Sequence, residues 1–119
     1  MLRASSLTTE TEVDLQGING KQGAASVGIE YGKNLMLLAE AIASRNNELL
    51  VQVRDKLLNE AGAKVLVDAV GVAANFQRMV RIADSMGIPV DDMETDLGIA
   101  VRSELNLSRF ASAANTLQK

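Results

Sequence analysis

The chain has 119 residues and a formal charge of −3, with 47% apolar residues, 23% charged residues and only 3% aromatics. This suits one globular domain with a core of aliphatic side chains, and the negative charge without a basic run excludes a nucleic-acid binder that works by phosphate neutralisation. There is no Cys and no His, so disulfides, thiolate nucleophiles, zinc–sulfur sites and the commonest general base are all excluded.

No N-terminal stretch joins a charged start to an apolar run, and nothing approaches the ~20 apolar residues of a membrane span. The expectation is a cytoplasmic protein with no membrane partner, no metal and no cofactor. Any chemistry would fall to carboxylates, hydroxyls, Tyr31 or Lys33.

Residues 1–32 stand apart as a Gly-rich N-terminal arm, and residues 33–119 form a helical domain. In the arm, Thr9 and Glu12 have capping-box spacing for a short helix through Leu15. Gly17, Gly20, Gly23, Gly28 and Gly32 follow, five of the nine glycines in the chain. Their G-x-x-G-x-x-G spacing is neither a dinucleotide fingerprint nor a P-loop. The segment reads as mobile, or as ordered only against a neighbouring subunit.

Residues 33–45 predict a helix with Leu35, Leu38, Ala39 and Ile42 on one side. Asn46-Asn47 breaks it and supplies an N-cap for the next helix, residues 48–61, which carries Leu49, Leu50, Val53, Leu57 and Leu58 at helical spacing. Gly62 is a natural left-handed cap, and so short a turn makes the flanking helices antiparallel neighbours.

Residues 63–86 predict the long central helix. Its second half places Phe76, Met79, Val80, Ile82, Ala83 and Met86 on one arc, as an amphipathic helix lying on a core. In its first half Val65, Ala69, Val72 and Phe76 continue that core side. Leu66, Val67, Val70, Ala73 and Ala74 make the back apolar as well. A helix apolar all round must be covered all round, so these five residues are the candidate subunit interface. Ala69, Gly71, Ala73 and Ala74 would admit a second helix closely. Asp68 and Asn75, seven residues apart, project onto the core side. Burial of such groups requires partners; the pair either fixes helix register or lines a small polar pocket with Arg78 at its rim.

Beyond Gly87-Ile88-Pro89, Asp91 and Glu94 have capping-box spacing for a helix to Leu105, stopped by Asn106. Ser108 is placed to cap a last short helix anchored by Phe110 and Ala114. No stretch alternates long enough for a strand. The fold class expected is all-α, an antiparallel helical bundle assembled as an oligomer.

Residues 67–92, VDAVGVAANFQRMVRIADSMGIPVDD, resemble the C-terminal part of the carboxymuconolactone decarboxylase and alkylhydroperoxidase-like family. The shared pattern is D-A-x-x-V-A-A-N-F-x-R-M-x-R-I-A-D followed by G-I-P-[LV]-D. It is met by Asp68, Ala69, Val72 to Phe76, Arg78, Met79, Arg81 to Asp84, and Gly87 to Asp91. The ending from Arg102 to Leu107, with Phe110, Ser112, Ala113, Asn115 and Thr116, is similar to tails of the same proteins. The resemblance spans residues 31–116 and implies an all-α protein in which helices of several subunits pack together. Family members with peroxidase activity use a C-x-x-C pair with a nearby His and Glu on an upstream helix. This chain has neither Cys nor His, so that chemistry is out of its reach alone, and the acid–base residues of lactone decarboxylation find no match.

Two functions follow as expectations. The first is a non-catalytic or partner-dependent oligomeric helical protein, a homo-oligomer or the companion of a Cys-containing chain. The second is a thiol-independent enzyme or small organic acid-binding protein with a polar pocket near Asp68, Asn75 and Arg78.

Overall fold

The computed structural model describes residues 7–21, 23–89 and 94–117. Every regular element among them is helical, so the protein is all-α. The helices are α1 (Gly32–Ser44), α2 (Asn47–Met86), α3 (Asp96–Leu105) and α4 (Ala114–Leu117), with short 3-10 turns before α1 and after α3. The chain divides into two compact units between Gln77 and Arg78.

In the first unit the short helix expected through Leu15 does not form. A helical turn over residues 7–9 ends at Glu10, whose φ is 53°. Asp14 then caps a 3-10 turn, Leu15–Gly17, by accepting from the Gln16 amide at 2.9 Å. Val13, Leu15, Ala24 and Ala25 are buried, and the Ala24–Ser26 turn packs on both Leu15–Gly17 and α1. The described part of this segment packs on its own chain. Close backbone approach makes that possible: a Cβ on Gly32 would run into the Ala25 carbonyl.

α1 ends at Arg45, which takes the left-handed conformation while its amide and that of Asn46 bond back to Ile42 and Ala41. This is the Schellman closure, built on an arginine in place of the usual glycine. The Asn46 side chain then accepts from the Leu49 amide at 3.1 Å and starts α2, as the Asn46-Asn47 break predicts. Leu38 of α1 and Val53 and Leu57 of α2 form the core cluster.

Gly62 interrupts α2 with φ 85° and ψ 168°, so the long element is two helical segments joined at a kink. Leu66 and Ala69 beyond the kink pack on the same cluster as Val53 and Leu57. In a straight helix Leu57 and Ala69 would lie about 18 Å apart, so the bend at Gly62 is what brings both to one core.

In the second unit α2 closes at Gly87 (φ 64°), where the Ile88 amide bonds to Ala83 and the Gly87 amide to Asp84, a second Schellman closure. The expected cap at Asp91 lies outside the described residues. The described helix starts at Asp96, with Thr95 Oγ1 accepting from the Gly98 amide at 3.2 Å. Asn106 ends α3 in the left-handed conformation, as expected of Asn. The last short helix expected from Ser108 is broken instead into turns at Leu107–Arg109 and Ala111–Ala113 and the single turn of α4.

Candidate functional site

After Gly62, the half-buried residues Leu66, Ala69 and Ala73 recur at spacings of three and four. At 100° per residue they form the inward stripe. Leu66, expected on the outer face, therefore belongs to the chain's own core. Val67, Val70 and Ala74 lie along one side of that stripe, and Val65, Val72 and Phe76 along the other. The exposure of Val67 is 68%, of Val70 39%, of Val72 58% and of Phe76 56%.

The core side expected for Val72 and Phe76 is thus open to solvent. No residue from 63 to 86 is buried.

The same register corrects the polar pair. With Leu66, Ala69 and Ala73 inward, Asp68 and Asn75 project to the far side together with Lys64 and Gly71. Asp68, Asn75 and Arg78 are all exposed, and Arg78 lies past the division between the units. The enclosed polar pocket expected of these three is not formed by the described residues of either unit.

A cavity of about 370 Å³ does occur in the second unit. Its apolar wall comes from Val80 and Ala83 on α2, Ile88 after the Gly87 closure, and Leu107, Phe110 and Ala113 in the C-terminal turns. Arg102 of α3, Asn115 and Thr116 of α4, and Asp84, Ser108 and Ser112 supply the polar groups. Arg102, Asn115 and Thr116 are half-buried, whereas Asp84, Ser108 and Ser112 are exposed. The Arg109 guanidinium stands 4.8 Å from the centroid of the Phe110 ring, a cation–π contact on the ring that walls the cavity. Sequence periodicity did not find this site, because its wall draws on separate elements, α2, α3, the 3-10 turns and α4. The one available signal was the tail likeness, which already contained Phe110, Ser112, Ala113, Asn115 and Thr116.

A third polar group gathers where α1 begins. Asn34 is buried and donates from Nδ2 to Glu60 Oε2 at 2.5 Å. Glu60 also lies 3.8 Å from Lys56 Nζ. The Tyr31 hydroxyl is held above its ordinary pKa, first by its hydrogen bond to Glu30 and then by the negative charges of Glu30 and Glu60. No group of three or more His, Cys, Asp or Glu residues is placed to hold a metal ion among the described residues. No helix of the described chain is long and apolar enough to cross a membrane. No family model, no curated protein and no solved structure matches the chain.

Proposed function

We propose that this protein is a self-associating, non-catalytic helical subunit whose assembly surface is the post-kink segment of α2. One observation carries the reading: residues 63–76, helical and apolar on most of their circumference, contain no buried residue in the single chain. The surface consists of Val67, Val70 and Ala74, which lie along one side of the inward stripe of Leu66, Ala69 and Ala73. A helix with so wide an apolar arc needs cover from outside its own unit.

A second copy of the chain is the occupant that fits. The Val67, Val70 and Ala74 stripe carries no charge of its own and is bordered by Lys64 and Asp68. Two copies related by a two-fold axis, with these helices antiparallel, bring the same stripe against itself, the self-complementary contact that a two-fold interface requires. Covering the exposed half of a Val or Phe side chain is worth about 1 kcal/mol. For Val67 and Val70 in two copies the gross gain is about 4 kcal/mol, comparable with the low end of association costs. The assembly completes the antiparallel bundle that one chain leaves open.

The likeness of residues 67–92 to the carboxymuconolactone decarboxylase-like family supports the same reading, because that family packs helices between subunits. Lacking Cys and His, the chain would contribute structure to such an assembly, alone or beside a thiol-bearing partner. Sedimentation at micromolar concentration is the test. A defined oligomer is expected, and a lone protomer across that range overturns the proposal.

A further inference from the structure

We propose that Gly62 is an exchange hinge. With α2 straightened there, the segment beyond it leaves its own core and packs on the core of a second copy, which returns the same segment. The partner is another chain of this sequence, because the cluster to be covered, Leu38, Val53 and Leu57, already fits Leu66 and Ala69. The inference does not rest on the Val67 and Val70 surface, since it uses the inward stripe.

Three features carry it. The bend is confined to one residue: within Asn47–Met86, Gly62 departs from helical geometry, at φ 85° and ψ 168°. A change at that residue alone makes the two segments one helix. Ala61, Ala63 and Lys64 are strong helix formers and no proline occurs between Asn47 and Met86, so the straight form is locally sound. Next, the contacts across the bend are tertiary ones, Leu66 and Ala69 against the core cluster. A second copy offers the same contacts, which is the condition for domain swapping, and a short hinge favours the exchange. Finally, the exchange leaves the first half of the unit intact. The Asn34–Glu60 hydrogen bond and the packing of Leu38 on Val53 and Leu57 lie before the hinge and stay within one chain.

Glycine is what weights the hinge toward the closed protomer. The bent conformation is open to glycine and strained for other residues, whereas in a straight helix alanine is the better residue. An added Cβ at Gly62 meets nothing within 4 Å, so one methyl group shifts the balance through the backbone and not through a clash. Gly62→Ala moves each chain toward the straight form by about thirtyfold or more. Two chains take part, so the dissociation constant of the exchanged dimer falls by about a thousandfold.

The test places Gly62→Ala in a Val67→Asp background, which removes the other surface. At micromolar concentration V67D alone is expected to sediment as a protomer and the double variant as a dimer. When isotope-labelled and unlabelled chains are refolded together, the methyl NOEs from Leu66 to Leu38, Val53 or Leu57 should run between chains. Ala63→Gly in the same background weakens the helix beside the hinge without straining the bend, and should stay a protomer. A protomeric double variant overturns the proposal, as does a dimer whose Leu66 NOEs stay within one chain. Equal dimerisation of the A63G variant does so too, since loosening alone would then suffice. If the double variant does not fold, Gly62→Ala alone with the same labelling decides. Loss of its helical circular dichroism at every concentration up to millimolar also overturns the proposal, because exchange restores the core. Failure here leaves the Val67 surface standing, whereas a protomeric unaltered chain removes that surface and not the hinge.

Discussion

Asn34, near the start of α1, donates its side-chain amide to Glu60 Oε2 at 2.5 Å. Glu60 lies two residues before the Gly62 kink, so this bond ties the end of the first helical segment of α2 to the beginning of α1. Asn34 is 6% exposed and is the one buried polar residue among those described. A hydrogen bond to a charged acceptor is worth about 1.5–3 kcal/mol. Asn34→Ala is expected to lower unfolding stability by about 2 kcal/mol, read from the denaturation midpoint at unchanged slope. Glu60→Gln keeps an acceptor in place and should cost less, about 1 kcal/mol.

Gly62 and Gly71 make a contrasting pair on one helix. At Gly62 the backbone sits at φ 85° and ψ 168°, a region that is essentially glycine's alone and costs other residues about 1–3 kcal/mol. An added Cβ meets nothing within 4 Å at either position, so space is not the issue. Gly62→Ala should destabilise by that amount, and a continuous helix through residue 62 would draw Leu66 and Ala69 off the Val53 and Leu57 cluster. Gly71 lies in ordinary helix, where alanine is better by about 1 kcal/mol. Gly71→Ala should therefore raise the melting temperature while Gly62→Ala lowers it.

Tyr31 is the only tyrosine in the chain, and there is no tryptophan, so the near-ultraviolet tyrosinate signal reports this one group. Its hydrogen bond to Glu30 and the negative charges of Glu30 and Glu60 favour the neutral phenol in the folded state. The native protein therefore holds this proton more tightly than the unfolded chain. The resulting stabilisation is complete below the unfolded pKa, about 10, and is lost as pH rises through the higher folded value. An alkaline titration should show tyrosinate appearing above the ordinary range. Tyr31→Phe should flatten the alkaline fall in stability.

The breaks between helices were legible because they rest on local chemistry. Asn46 caps, Gly62 takes a conformation other residues avoid, and Asn106 enters the left-handed region. The helical content was legible for the same reason, since the Leu35 to Leu58 pattern repeats every three to four residues. Rotation about the helix axis after Gly62 was not. With Val65, Leu66, Val67, Ala69, Val70 and Val72 all apolar, periodicity alone fixes no inward face, and packing of Leu66 and Ala69 on Leu38, Val53 and Leu57 settles it. Packing of residues 13–32 was hidden too, because it depends on glycine and alanine backbones meeting across the sequence, as Gly32 meets Ala25. The cavity was not legible from periodicity because its wall joins residues of α2 and α3 to the turns and short helix of residues 107–116.

The register after Gly62 has a direct consequence for mutants at adjacent positions. Asp68 and Asn75 face away from the core, so Asp68→Ala and Asn75→Ala should each change stability by no more than about 0.5 kcal/mol, as exposed sites do. Were the two buried and hydrogen-bonded, each substitution would cost about 1–3 kcal/mol. Val67 and Val70 are also exposed in the single chain, at 68% and 39%, and on that ground alone Val67→Asp and Val70→Asp should be equally mild. The assembly surface predicts otherwise. A carboxylate at either position lies in a face that a second copy covers, where an unpaired charge is strongly disfavoured. Both variants should therefore sediment as protomers at concentrations where the unaltered chain is oligomeric, while keeping their helical circular dichroism. If Val67→Asp leaves the sedimentation coefficient unchanged, the surface lies elsewhere on α2.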